Sequence, residues 1–400
     1  MVDQKPRVQP LRWVVAAAAL LICGYAFGQP LIAFLQNDCP SPASTDLRWL
    51  LLADQIRIRF FEAVIVVWLF FFGASIGSFL NVVVYRTPRH LSLLGSSFCP
   101  KCGHSIRWKD NVPVLGWIGL RGRCRDCGEP ISGRYPLIEA LTGLMLLGLV
   151  VIQLTVSGGN LPDFPSRGHL GLSWLAQQMR WEWLAVLVCQ ALLLCVLLTW
   201  ALIRWDGYRL PRQYVLATLV LGLILPTAVP IHPQGSESLV PWSWIPELEG
   251  TRRLLTAITG ALAGGFMGGF QALVARVWPA ASPVGRGLVW DQIATVATIG
   301  AVLGWQETLA IWLLAACFRM IFAVLTGDLL CPRGSSVWVH FVPATFLMIV
   351  GGRHWDALPG WPLAQSFPIN LVLAIGGALL FTLIASYVES RRTVVYPEEL

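Results

Sequence analysis

GSFLNVVVYRTPRHLSLLGSSFCPKCGHSIRWKDNVPVLGWIGLRGRCRDCGEPISGRYPLIEALTG, residues 77–143, is the longest polar interval in an otherwise apolar chain. It carries two C-x-x-C pairs, Cys99 with Cys102 and Cys124 with Cys127. Each pair is followed at once by glycine, Gly103 or Gly128, which can supply the positive φ that a C-x-x-C-G knuckle needs. Four thiolates at this spacing suit tetrahedral zinc. Disulfides or unrelated thiols are the alternatives, but C-x-x-C disulfides are usually redox centres, and the topology below puts the segment in a reducing compartment. Four cysteines would also close the coordination sphere, so the expected zinc is structural rather than catalytic.

Outward from this interval the chain reads as membrane protein. Hydrophobic residues make up 56% of the 400 and charged residues only 13%, a balance that excludes an ordinary soluble multidomain chain. The 19 tryptophans fit the same class, since indoles favour the membrane interface. The net charge of +7 concentrates in loops expected on one side of the bilayer, so positive-inside topology accounts for it and nucleic acid is not an expected partner. Of the other cysteines, Cys23, Cys189, Cys195 and Cys317 lie in apolar runs and read as small core residues, while Cys39 and Cys331 do not.

The expected architecture is an all-α polytopic membrane protein of about ten transmembrane helices, with a small cytoplasmic zinc-knuckle domain inserted after the second. The first apolar run follows the basic start MVDQKPRVQPLRW and reads as a retained helix with its N-terminus inside. The second runs from about Phe60 to Tyr85, with Gly73, Ser75, Gly77 and Ser78 as a small-residue packing face. Arg86, Arg89, Lys101, Arg107, Lys109, Arg121, Arg123, Arg125 and Arg134 then mark the cysteine segment as cytoplasmic. Further spans are expected over about Tyr135–Leu154, Trp183–Ile203 and Tyr214–Val229, followed by an external loop that includes Arg252 and Arg253. The run TAITGALAGGFMGGFQALVARVW comes next; its GGFMGG lacks the lysine of a phosphate loop and reads as close helix packing. Four more spans end at ESRRTVVYPEEL, which places both termini in the cytoplasm. In this scheme residues 1–59 form an extra helix and external loop, 60–143 the segment with the zinc domain (86–135), and 144–400 a membrane-embedded domain.

Acidic residues at helix ends are the candidates for chemistry, because an ionisable group near hydrocarbon is costly and tends to have a task. Asp206, Asp291 and Asp328 meet that description. Two of them brought together across helices could share a proton, one acting as base on water and the other as acid; the alternative is interfacial charges that anchor helix ends. Glu307 reads as an external loop charge and His340 as a hydrogen-bonded helix-end residue. Arg319 would snorkel or pair with an aspartate.

The runs GSFLNVVVYRTP, C-x-x-C, DNVPVLGWIGLRGRCRDC and PISGRYPLIEALTG resemble the N-terminal region of bacterial type IV prepilin peptidases almost continuously over Gly73 to Gly143. ALIRWDGYRLPRQYVLATLVLGLIL, IGAVLGWQETLAIWLLAACFRMIFAVL and HFVPATFLMIVGG resemble later regions, so the likeness covers most of Phe60 to Tyr387. The resemblance implies an inner-membrane aspartic endopeptidase. It would cleave the leader of prepilin or pseudopilin-like substrates at the cytoplasmic face, and many members also methylate the new N-terminus with S-adenosylmethionine. It also implies Asp206 and Asp291 as the catalytic pair, although both are displaced. The family's first aspartate falls on Arg204 and its second on Gln292, Arg212 ends the Leu-Pro-Asp motif, and a shift of one position turns a side chain by about 100° around a helix. A non-cleaving homologue acting as a scaffold in a pilus or secretion assembly therefore stays open beside the peptidase; a transporter fits less well, lacking an inverted repeat or charged relay.

Overall fold

The computed structural model describes residues 20, 23–28, 30–32, 45–154, 161, 179–230, 249–277, 286–326 and 336–356, and parts of 372–384. The first and last expected spans lie mostly outside these residues, as do Asp328, Cys39 and Cys331. The described elements are helical: α1 (Thr45–Arg86), α2 (Arg134–Ile152), α3 (Trp181–Trp205), α4 (Arg212–Ala228), α5 (Glu249–Val277), α6 (Arg286–Leu303), α7 (Trp305–Thr326) and α8 (Ser336–Asp356). Among the described residues, five helical stretches are long and apolar enough to cross a membrane: Leu52–Arg89, Arg134–Ile152, Trp181–Trp205, Gly250–Leu273 and Trp305–Phe322. Arg212–Ala228, Val289–Leu303 and Val339–Gly352 are apolar but shorter.

Several helices start earlier than the apolar runs alone indicate. α1 begins at Thr45 and is 42 residues long, about 63 Å at 1.5 Å per residue and well beyond a hydrocarbon core of about 30 Å. Nothing between Thr45 and Gly73 breaks a helix, so the polar LADQIRIR continues the apolar stretch. Arg252 and Arg253, expected in an external loop, lie in the first turns of α5. Asp291, expected at a helix end, lies in the second turn of α6. Glu307 is a buried residue of the first turn of α7 rather than a loop charge. Gly304, at φ +96°, makes the break between α6 and α7.

The chain divides into two compact units. The first contains α1 as far as Val83, the cysteine segment from Ser92, and α2. Here α1 and α2 meet through glycine: a Cβ on Gly73 would stand 2.9 Å from the Cα of Gly143, and one on Gly77 2.9 Å from the Cα of Glu139. Ser75, expected on this face, instead points out and bonds the Phe71 carbonyl. The second unit contains Val84–Leu91 and α3 to α8. Its most extensive described pairing is α5 on α6. Gly260, Gly264 and Gly268 repeat at four-residue spacing and lie against the backbone of Gly300, Val296 and Gln292. Small residues let the helices approach to backbone contact, which is the packing role expected for GGFMGG.

Candidate functional site

The cysteine segment folds as two knuckles with the same backbone pattern, 25 positions apart in the sequence. In the first, Cys99 N–H donates to the His104 carbonyl (3.0 Å) and Gly103 N–H to the Cys99 carbonyl (2.8 Å). In the second, Cys124 N–H donates to the Glu129 carbonyl (2.8 Å) and Gly128 N–H to the Cys124 carbonyl (3.0 Å). Single antiparallel bridges, Phe98 with Ser105 and Arg123 with Pro130, close both. Gly103 and Gly128 have φ of +72° and +73°, the left-handed conformation that glycine adopts without strain.

All four cysteines are free thiols whose sulfurs lie within 4.8 Å of one another, Cys99 and Cys127 at 3.9 Å. A tetrahedral ion with bonds of about 2.3 Å needs sulfurs about 3.8 Å apart, so the cluster is compatible with zinc. Backbone N–H groups of Cys102 and Lys101 lower the Cys99 thiol to about 7. Cys127 is pulled down by the Glu129 N–H, but desolvation and the shared bonds with Cys124, Cys102 and Cys99 outweigh that and take it up to about 12. The knuckles are further tied by ion pairs from one to the other: Lys101 to Glu129 (3.6 Å), Arg107 to Asp126 (3.2 Å), and Arg125 to both oxygens of Asp110, with its Nε at 2.6 Å. The Arg125 guanidinium holds the Asp110 carboxyl below its ordinary range.

Between the knuckles, Leu115 N–H reaches the Pro113 carbonyl at 2.6 Å, which closes a γ-turn on Val114 at φ 63°, ψ −52°. This turn is strained for any residue with a side chain, and more so for a β-branched one. A carboxylate from α2 stabilises it, since Val114 N–H donates to Glu139 Oε2 at 2.7 Å. Glu139 also accepts from Ser78 of α1, and Asn81 of α1 donates to the Tyr135 carbonyl of α2 (3.2 Å).

In the second unit the acids lie where α3 ends and α6 begins. Asp206 caps α3, Gly207 takes φ +79°, and Tyr208 N–H returns to the Ile203 carbonyl (3.1 Å) while Gly207 N–H returns to the Arg204 carbonyl (3.0 Å). This is a Schellman ending, and it presents Asp206 on an exposed turn. Asp291 is buried. Its Oδ2 accepts from Arg204 Nη1 at 3.2 Å and from Leu210 N–H at 3.4 Å. Arg204 Nη1 also donates to the Tyr208 carbonyl at 3.1 Å. The structure thus brings Asp291 to the reversal that carries Asp206, and it is Arg204 that supplies the counter-charge to Asp291. The sequence alone does not reveal this pair; its only signal there is an arginine and an acid at the ends of neighbouring helices. His340 is buried against Phe322 near the start of α8, and among the described residues its Nε2 has no hydrogen-bond partner, unlike the bonded role expected for it.

Comparison with known proteins shows what the chain is similar to. The family model described as the bacterial peptidase A24 N-terminal domain matches residues 71–153. The prepilin leader peptidase/N-methyltransferase of Aeromonas hydrophila is 30% identical over 322 residues, 73% of this chain and 91% of the relative. The chain belongs to the prepilin leader peptidase/N-methyltransferase family. The family member of Klebsiella pneumoniae is 31% identical over 62% of this chain and 90% of its own. That of Myxococcus xanthus is 35% identical over 167 residues, which span 42% of each chain. No solved structure matches.

Proposed function

We propose that this chain is a membrane aspartic endopeptidase that removes the leader of prepilin or pseudopilin-like proteins at the cytoplasmic face of the bacterial inner membrane. The observation that carries the reading is the convergence of the Asp206 turn on Asp291, in a chain whose relatives bear leader-peptidase names. Among the described residues, both hydrogen bonds to the Asp291 carboxylate use Oδ2, which leaves Oδ1 to take the proton of a water attacking the scissile carbonyl. Asp206, on the open turn, would return a proton to the departing amine. The products are a carboxylate and a free amine, with no covalent intermediate.

The same reading carries the ten-span topology with both termini cytoplasmic, and the scheme of an extra helix over 1–59, a zinc-bearing segment over 60–143 and a peptidase-like domain over 144–400. Cys99, Cys102, Cys124 and Cys127 would hold a structural zinc that fixes the two knuckles. Methyl transfer from S-adenosylmethionine to the new N-terminus would be a second activity, one named in the relatives.

A second reading is favoured by the Arg204–Asp291 pair. An acid already matched by a guanidinium is not placed to share a proton with another acid, so the chain would bind prepilin-like helices as a scaffold without cutting them. Co-expression with a prepilin-like substrate from the same source, followed by its mobility shift, separates the two. Cleavage by the wild-type chain that is lost in Asp206→Asn and in Asp291→Asn supports the peptidase. No cleavage of a cognate substrate by folded wild-type protein supports the scaffold.

A further inference from the structure

Arg89 stands three residues beyond α1, and its guanidinium lies over two aromatic rings at once: Tyr85 at 4.2 Å and Tyr208 at 4.9 Å from the ring centroids. Its Nη1 also donates to the Tyr85 carbonyl at 2.7 Å, which fixes the plane of the group. All three residues lie within the second unit. Tyr208 is held twice more, since its N–H bonds the Ile203 carbonyl and its own carbonyl accepts from Arg204. Asp206 is two residues away, on the far side of Gly207 with its positive φ.

From this geometry we infer that Arg89 is a positioning residue, clamping the Tyr208 ring so that the Asp206 turn keeps one conformation opposite Asp291. A planar guanidinium suits this task because it stacks on aromatic faces and still donates in its plane, which an ammonium does not. Backbone bonds and the Arg204 contact close the turn at Gly207 and Tyr208; the clamp holds the Tyr208 ring and so resists the opening of those bonds. The inference about position stands on the contacts themselves, and its effect on turnover rests on the peptidase reading.

The test uses the full-length protein in detergent or nanodiscs and two readouts. Amide hydrogen exchange at Gly207, Tyr208 and Leu210 reports the turn, and steady-state leader cleavage reports kcat and KM. Arg89→Ala and Tyr208→Leu should each speed exchange at these amides and lower kcat about tenfold, with KM within about twofold. Tyr208→Phe keeps the ring and should restore both. Unchanged exchange in Arg89→Ala and Tyr208→Leu would sink the clamp. Faster exchange with unchanged kcat would sink its positioning role. If the wild-type chain does not cleave but exchange responds as described, the clamp holds and it is the peptidase reading that fails.

Discussion

Arg204 and Asp291 are 87 residues apart in sequence and meet at 3.2 Å, where the end of α3 comes against the second turn of α6. About a tenth of each side chain is exposed, so the pair is largely withdrawn from water. Removing one partner strands the other charge, which costs far more than the net worth of the pair.

Arg204→Met should therefore destabilise the second unit by about 3 kcal/mol. Arg204→Lys should cost less, because it keeps the charge but loses the second bond to the Tyr208 carbonyl. Thermal unfolding in detergent measures both. In a double-mutant cycle with Asp291→Asn, additive losses would mean that the two groups do not interact.

The glycine seam makes a prediction by position. A Cβ on Gly268 would sit 2.7 Å from the Gln292 carbonyl oxygen and 2.8 Å from the Ile293 Cα, both backbone atoms that cannot step aside. On Gly265 the nearest atoms are side-chain carbons at 3.9 Å. Gly268→Ala should cost about 1–3 kcal/mol by forcing α5 and α6 apart. Gly265→Ala should be neutral or mildly stabilising through helix propensity. Equal effects on melting temperature would remove the seam from the account.

Acid should release metal from the knuckles. A zinc ligand must be a thiolate, so each ligand proton that has to leave makes affinity fall as pH falls. Cys99, depressed to about 7, ionises well below the ordinary thiol value. In the metal-free fold its thiolate stabilises the knuckle above the ordinary thiol value, and that contribution is lost as pH drops through about 7. Bound zinc moves the window lower. Purified protein should hold one equivalent at pH 8 and lose it at acid pH, as read by a chromophoric chelator; retention in Cys99→Ser/Cys124→Ser at pH 8 would show that the ion sits elsewhere.

Asp110→Asn should make the metal easier to extract without touching a sulfur. The change breaks the two-point contact with Arg125 that ties the turn after the first knuckle to the loop of the second. Chelator extraction at neutral pH should be faster than in wild type, with the metal stoichiometry unchanged.

The sequence made the local features legible and left the long-range ones hidden. C-x-x-C-G requires a left-handed glycine after the second cysteine of each pair, and both glycines adopt it. The glycine spacing of α5 carried its own packing logic. Helix starts were misjudged where polar residues continue a helix, as at Thr45, Glu249 and Arg286, because apolar runs report the bilayer and not the backbone. The Arg204 contact was hidden for a different reason: sequence shows that charges exist but not which of several nearby acids the fold presents to them. The Arg89 stack needed the ends of two helices distant in sequence to come together.

The strained turn at Val114 bears on what can be cut away. Its N–H is satisfied by Glu139, a residue of the helix after the knuckles, which itself rests on Gly77 and Ser78 of the helix before them. The knuckle pair is thus not a detachable cartridge. A fragment trimmed to the two cysteine motifs would keep all four cysteines and lose the carboxylate that accepts the N–H of its most contorted bend, so excision should begin at α1 and end beyond Glu139.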